Sequence, residues 1–183
     1  DQLRDVFAAM DFIKKRVKPD GGDLSHVYMV GDSGGACLIA YANAIQNSYK
    51  IAKAAGVKPS DLHVSALGLI SGMFYTTKFD KIGLFLPKFL YGKNYKKTPF
   101  SKYVNPENNN NTKKNNGSGS YTIDYLRKYT INFEKALAAA QKEHELIDYP
   151  KNKNLTHAFS VFEPFLDESS EVIDMMTAYL RKF

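Results

Sequence analysis

The chain of 183 residues has one cysteine, Cys37, and only four histidines. A single thiol excludes an intramolecular disulfide framework and fits a reducing, cytoplasmic compartment. No apolar run approaches the roughly 20 residues that a membrane span requires, so stable membrane insertion is not expected. The amino end lacks the charged-then-apolar pattern of a secretory signal, and no internal repeat is present. Charge of one sign is in mild excess, with 25 Lys and Arg against 19 Asp and Glu, a formal +6. The basic residues show short local excesses at Lys14–Lys18, Lys93–Lys97 and Lys113–Lys114. No recognition motif accompanies them, so no nucleic-acid partner is expected.

With 44% hydrophobic residues, the chain is long enough for one domain with a real core, spanning residues 1–183. It opens on a helical stripe of Leu3, Phe7, Met10, Ile13 and Val17, spaced by threes and fours. Pro19-Asp20-Gly21-Gly22-Asp23 is a turn signal, and Val27–Val30 then reads as a strand buried on both faces. Gly34 to Ala55 reads as one Ala-rich helix closed by Gly56, followed by a second apolar run from Leu62 to Ile70. Residues 73–104 mix aromatics with lysines, interrupted by Pro87 and Gly92, and read as a cap-like excursion from a sheet. The stretch 105–120 is of low complexity and reads as a mobile loop. A helix is predicted from Tyr125 to Lys142 on Leu126, Tyr129, Phe133 and Leu137, then a strand at Glu145–Tyr149 and a closing helix at Glu168–Phe183. Strands alternating with helices predict an α/β fold with a parallel sheet flanked by helices.

The chemistry centres on Gly31-Asp32-Ser33-Gly34-Gly35. A Gly-x-Ser-x-Gly string arises by chance in roughly one chain in twenty of this length, so the string alone decides little. Its context is more specific, since a short strand precedes it and a helix of small residues follows. That is the setting of a nucleophile elbow, where a serine on a strained turn is presented at the carboxyl edge of a sheet. The helix that starts there points its first N–H groups at the reacting centre, and the N–H of Gly34 would donate to an oxyanion.

A serine nucleophile needs a base, and the base needs an orienting acid. His26, His63 and His144 stand at the starting ends of strand-like runs, remote from the carboxyl edge. His157 follows the last strand, in "NKNLTHAFSVF", and is the candidate base. Asp124, between Tyr121-Thr122-Ile123 and a helix, is the candidate acid, although an aspartate there also reads as an ordinary helix cap. Asp148, within the last strand run, and Asp167, at the closing helix, are weaker candidates.

These segments resemble the α/β-hydrolase carboxylesterases and lipases, in particular the hormone-sensitive-lipase-like branch. "VYMVGDSGGACLIAYA" resembles that branch's elbow, "DYLRKYTINFEKALAAAQKEHELIDYP" the segment after its acid, and "THAFSVF" its histidine loop. The order Ser33, Asp124, His157 is the family's order. Chymotrypsin-like proteases place His and Asp before the serine, which sets that reading of "GDSGG" aside. The resemblance implies ester hydrolysis through an acyl-enzyme on Ser33, with His157 as base, Asp124 holding its tautomer, and no metal or organic cofactor. It also implies that Asp32, Phe74 and Tyr75 lie against the substrate, a small ester of short or medium acyl chain.

Two departures qualify it. The family's His-Gly-Gly motif, which supplies the rest of the oxyanion hole, lies well upstream of the elbow, and this chain starts too late to contain it. The expected fold is therefore the carboxyl-terminal part of such a hydrolase, with an exposed sheet edge to be met by a second copy or by the missing amino-terminal half. The strand before Asp124 is also short. The alternative to an esterase is a hydrolase-like module that is weak or inactive in catalysis and binds a partner through its exposed half-sheet. Ester, thioester and amide hydrolysis share the same triad and are not separated by the sequence.

Overall fold

The computed structural model describes residues 1–105, 118–121, 126–150 and 154–183. In chain order its helices are α1 (Gln2–Arg16), α2 (Ser33–Gln46), α3 (Tyr49–Ala55), α4 (Lys81–Phe85), α5 (Pro87–Tyr91), α6 (Arg127–Ala139), α7 (Phe159–Phe162) and α8 (Asp167–Leu180). The strands are β1 (Tyr28–Asp32), β2 (Ala66–Ile70), β3 (Ser118–Tyr121) and β4 (His144–Leu146). They form one sheet in the order β1-β2-β3-β4, and every pairing is parallel.

Side chains alternate across a strand, and β2 shows the consequence. Its Leu67 and Leu69 enter one hydrophobic cluster, whereas Ala66 and Ile70 enter another. The first cluster gathers Phe7 and Met10 of α1, Ile39 and Ile45 of α2, and Tyr129, Phe133 and Leu137 of α6. The second holds Phe159 of α7 with Val172, Met176 and Leu180 of α8. Both faces of β2 are thus covered by helices, as a parallel sheet requires. Ile45, Leu69 and Val172 are fully buried, and burying a side chain of that size stabilises by about 1.5–3 kcal/mol.

Several sequence expectations change. β1 is not buried on both faces: it is an edge strand of the described sheet, and its Val30 is 49% exposed. The single helix expected from Gly34 to Ala55 is two. It breaks after Gln46, where the Ser48 hydroxyl accepts from the Ile51 N–H and starts α3, and Gly56 closes α3 at φ 62°. Of the α1 stripe, Phe7 and Met10 are buried while Ile13 faces out. The last strand is shorter and earlier than Glu145–Tyr149, at His144–Leu146. Part of the supposed loop at 105–120 is strand, because Ser118–Tyr121 pairs with β2 and Ser118–Ser120 with β4. A central parallel strand is held by its backbone ladder on both sides, which hydropathy does not register.

Candidate active site

The register aligns Asp32 of β1 with Ile70 of β2, and Ile70 with Tyr121 of β3, so the carboxyl ends of three strands lie side by side. Ser33 is the next residue after Asp32 and the first of α2, with φ 49°. A left-handed conformation costs a non-glycine residue of order 1–3 kcal/mol and persists only where the surroundings enforce it. Here the strand, the helix and a hydrogen bond from the Met73 N–H to the Ser33 carbonyl (3.1 Å) enforce it. The two flanking glycines differ. A Cβ on Gly31 would lie 2.8 Å from the Gly35 carbonyl carbon and 3.0 Å from the Ala36 nitrogen, whereas one on Gly35 would meet no atom within 4 Å. Only Gly31 is required by packing.

Gly34 lies in the first turn of α2, whose leading N–H groups have no intrahelical partner. They can therefore serve a developing negative charge beside Ser33. Asp32 stands at the N-cap position of α2 but makes no capping bond with its side chain. Its charge instead reaches His157.

His157 lies beyond β4, immediately before α7, and is half-buried. Burial lowers its pKa from the ordinary histidine range, and the nearby Asp32 carboxylate opposes that in part. The loop is fixed by a contact that the sequence did not disclose. The Ala158 N–H donates to the hydroxyl of Ser71 at 3.2 Å, and both residues are buried. Ser71 follows Ile70 just as Ser33 follows its register partner Asp32, and it too has φ 49°. Ala158 has φ 52°. Three of the four non-glycine residues with positive φ among the described residues are therefore Ser33, Ser71 and Ala158, linked through two adjacent strand ends.

Asp124 lies outside the described residues. Asp148 is held in a two-pronged ion pair by Arg127, whose Nε donates at 2.8 Å. Asp167 occupies the first turn of α8, where its charge favours the helix amino end. His26 and His63 precede β1 and β2, and His144 begins β4. His26 pairs with Asp23 at 2.7 Å, and the His144 Nδ1–H donates to the Lys142 carbonyl at 2.7 Å. Phe74 and Tyr75 require a correction. Each is 1% exposed, Phe74 stacked on Phe133 and Tyr75 edge-on to Tyr129, so they belong to the core rather than to a substrate surface. After the turn at Ser71 the chain dives inward, and Met73 is the residue that faces open space.

That space is a cavity of about 510 Å³ lined by Gly34, Cys37, Leu38, Met73, Leu90 and Phe100 among others. Gly34 at the start of α2 and Leu90 and Tyr91 of α5 are among its walls. The segment 73–104 is tied down by a relay of hydrogen bonds. The Tyr41 hydroxyl donates to the Val104 carbonyl (2.7 Å) and so accepts from Tyr91 (2.7 Å), which accepts from Thr76 (2.5 Å). Burial pushes the Tyr91 phenol up to about 12 and the Cys37 thiol to about 12, so both stay protonated near neutrality. Among the described residues no three His, Cys, Asp or Glu side chains are grouped to hold a metal ion.

A parallel sheet whose β2 is covered on both faces, with a strained serine between strand and helix and a histidine beyond a later strand, has the layout of an α/β-hydrolase fold. No protein-family model matches the sequence, and no curated protein matches it. Solved structures do match. Esterase B from Lactobacillus rhamnosis, solved with a tributyrin phosphonate inhibitor, has a TM-score of 0.86 at 19% identity, over 98% of this chain and 60% of that one. Esterase LipW from Mycobacterium marinum gives 0.72 at 17% identity, over 97% and 56%. Carboxylesterase Cest-2923 from Lactobacillus plantarum gives 0.63 at 12%, over 86% and 56%. The chain thus has this fold in part, spanning about 60% of the length of esterase B.

Proposed function

We propose that the chain carries the nucleophile and base of a serine carboxylesterase. The Ser33 hydroxyl attacks an ester carbonyl while His157 takes its proton. The N–H of Gly34 donates to the oxyanion, and Asp124 orients the imidazole. The alcohol leaves with the proton from His157, and water activated by the same histidine then hydrolyses the acyl-enzyme. The observation that carries the reading is the left-handed backbone of Ser33 (φ 49°) at the junction of β1 and α2. Such strain has a chemical use there, because it lifts the hydroxyl clear of the strand beside unpartnered N–H groups. The apolar cavity at Gly34 and Met73 suits a short or medium acyl chain.

The test is turnover of p-nitrophenyl acetate and butyrate, with stoichiometric labelling of Ser33 by a fluorophosphonate. Labelling and hydrolysis that both vanish in Ser33→Ala are the expected result; equal rates in the two proteins would sink the proposal. A second reading, a binding module with little activity, is favoured by the place of β1 at the edge of the described sheet and by the exposed Val30. A stable complex with another protein chain and an unlabelled Ser33 would be its signature.

A further inference from the structure

The cap carries a surface that the reaction does not use. The backbone stays helical from α4 through Leu86 into α5, with the Leu86 N–H bonded to the Ile82 carbonyl and the Leu90 N–H to the Leu86 carbonyl. Helical spacing then puts Lys81, Leu84, Phe85, Lys88 and Phe89 on one side. All five are exposed, with Leu84 at 53%, Phe85 at 68% and Phe89 at 85%. Phe79, just before α4, is 95% exposed. The opposite side is filled by Ile82, Pro87, Leu90 and Tyr91, which are wholly or partly buried, and Leu90 and Tyr91 close the cavity. The cap is therefore apolar on both sides, the reverse of a solvated surface helix.

Its charge indicates what the outer side meets. Residues 78–102 contain seven lysines and one acid, Asp80, so this segment alone has an excess equal to the formal +6 of the whole chain. Short windows hide this, because the lysines are spaced among aromatics. Lys81, Lys88, Lys93, Lys96, Lys97 and Lys102 are all exposed. A buried protein–protein contact is depleted in lysine, whereas exposed phenylalanines interspersed with exposed lysines match a surface with an apolar interior and anionic headgroups.

We infer that the α4–α5 face docks the protein on an anionic lipid surface, with Phe79, Phe85 and Phe89 entering the acyl boundary and the lysines meeting the headgroups. This is peripheral docking, since among the described residues no helix is long and apolar enough to cross a membrane. It does not depend on the chemistry of Ser33, and it is tested on the Ser33→Ala chain so that hydrolysis plays no part.

The experiment is co-sedimentation of the full chain with vesicles of phosphatidylcholine alone, or with about a third phosphatidylglycerol, at low and high salt. Anionic vesicles are expected to carry the protein down, weakening as salt rises, and neutral vesicles to leave it in solution. Each lysine near such a surface contributes about 1 kcal/mol, so Lys81→Gln with Lys88→Gln should lower partitioning roughly thirtyfold. Phe79→Ser, Phe85→Ser and Phe89→Ser together should abolish it; as these side chains are exposed, an unchanged circular-dichroism melt confirms that the variant is folded. Equal binding to neutral vesicles, no binding at low salt, or full binding by the folded triple variant would each overturn the inference. So would a concentration-dependent dimer that the triple variant abolishes without vesicle binding, which would assign the face to a second copy.

Discussion

Replacing Gly31 and Gly35 separately by alanine should have opposite effects, although the two glycines are symmetric about Ser33 in the sequence. At Gly31 the added carbon would sit 2.8 Å from the Gly35 carbonyl carbon and 3.0 Å from both the Gly35 oxygen and the Ala36 nitrogen. All three are backbone atoms of the first turn of α2, so no side chain can swing away. The helix start must instead slide along β1 by about half an ångström to reach ordinary contact. Overpacking of this kind costs about 1–3 kcal/mol, or a fall of roughly 3–10 °C in Tm for a chain of this size. The same slide moves the Ser33 hydroxyl. A misplacement of about 1 Å can cost a hundredfold in rate, so about tenfold is expected here. At Gly35 nothing lies within 4 Å and the residue is helical and exposed. Alanine there should add up to about 0.5–1 kcal/mol by restricting the unfolded chain. The chain has no tryptophan, so far-UV circular dichroism should follow the melts, and fluorophosphonate labelling should follow Ser33. If Gly31→Ala melts and labels like the parent, the tight elbow described above is wrong.

Two further changes probe the histidine. Ser71→Ala leaves the buried Ala158 N–H without its acceptor, costing about 1–3 kcal/mol of stability. It should also lower kcat with little change in KM, because the loop carrying His157 loses an anchor; an unaltered melt and kcat would refute that role. Burial holds His157 below the ordinary value of 6.5, against the raising effect of Asp32. In the proposed mechanism the neutral imidazole is the base, so kcat/KM should fall as pH drops through a pKa below 6.5. Asp32→Asn removes the opposing charge and should move that acid limb to still lower pH; a shift upward would contradict the assignment. The unfolded chain takes up this proton first, so the group's contribution to stability is complete above 6.5 and is lost as pH falls from there through the folded value.

The parts of the fold that were legible rest on periodicity. Leu126, Tyr129, Phe133 and Leu137 are spaced to share one helix face, and all four are buried. β2 was legible as an apolar run because both of its faces are covered. β3 was not, since "SGSY" carries no hydropathy signal and its strand character comes from pairing with β2 and β4. Phe74 and Tyr75 were misjudged because aromatic residues after an elbow strand suit a pocket and a core equally well. The turn at Ser71 decides between the two, and a left-handed serine leaves no mark in a sequence.

The same limit applies to the site itself. Read as letters, Gly-x-Ser-x-Gly makes its two glycines equivalent, and Ser71 is simply the residue after a strand. In the folded chain Gly31 admits no side chain, Gly35 would accept one, and Ser71 repeats the backbone twist of Ser33 one strand away. A parallel sheet produces that repetition, because its register brings Asp32 and Ile70 to the same level before each chain turns off. One turn carries the proposed nucleophile, and its neighbour uses a hydroxyl to hold the loop of the proposed base. The strained residues are therefore a single device spanning two strand ends. Its two halves should fail differently: damage at Gly31 should slow labelling of Ser33, whereas damage at Ser71 should leave the elbow's packing intact and act through His157.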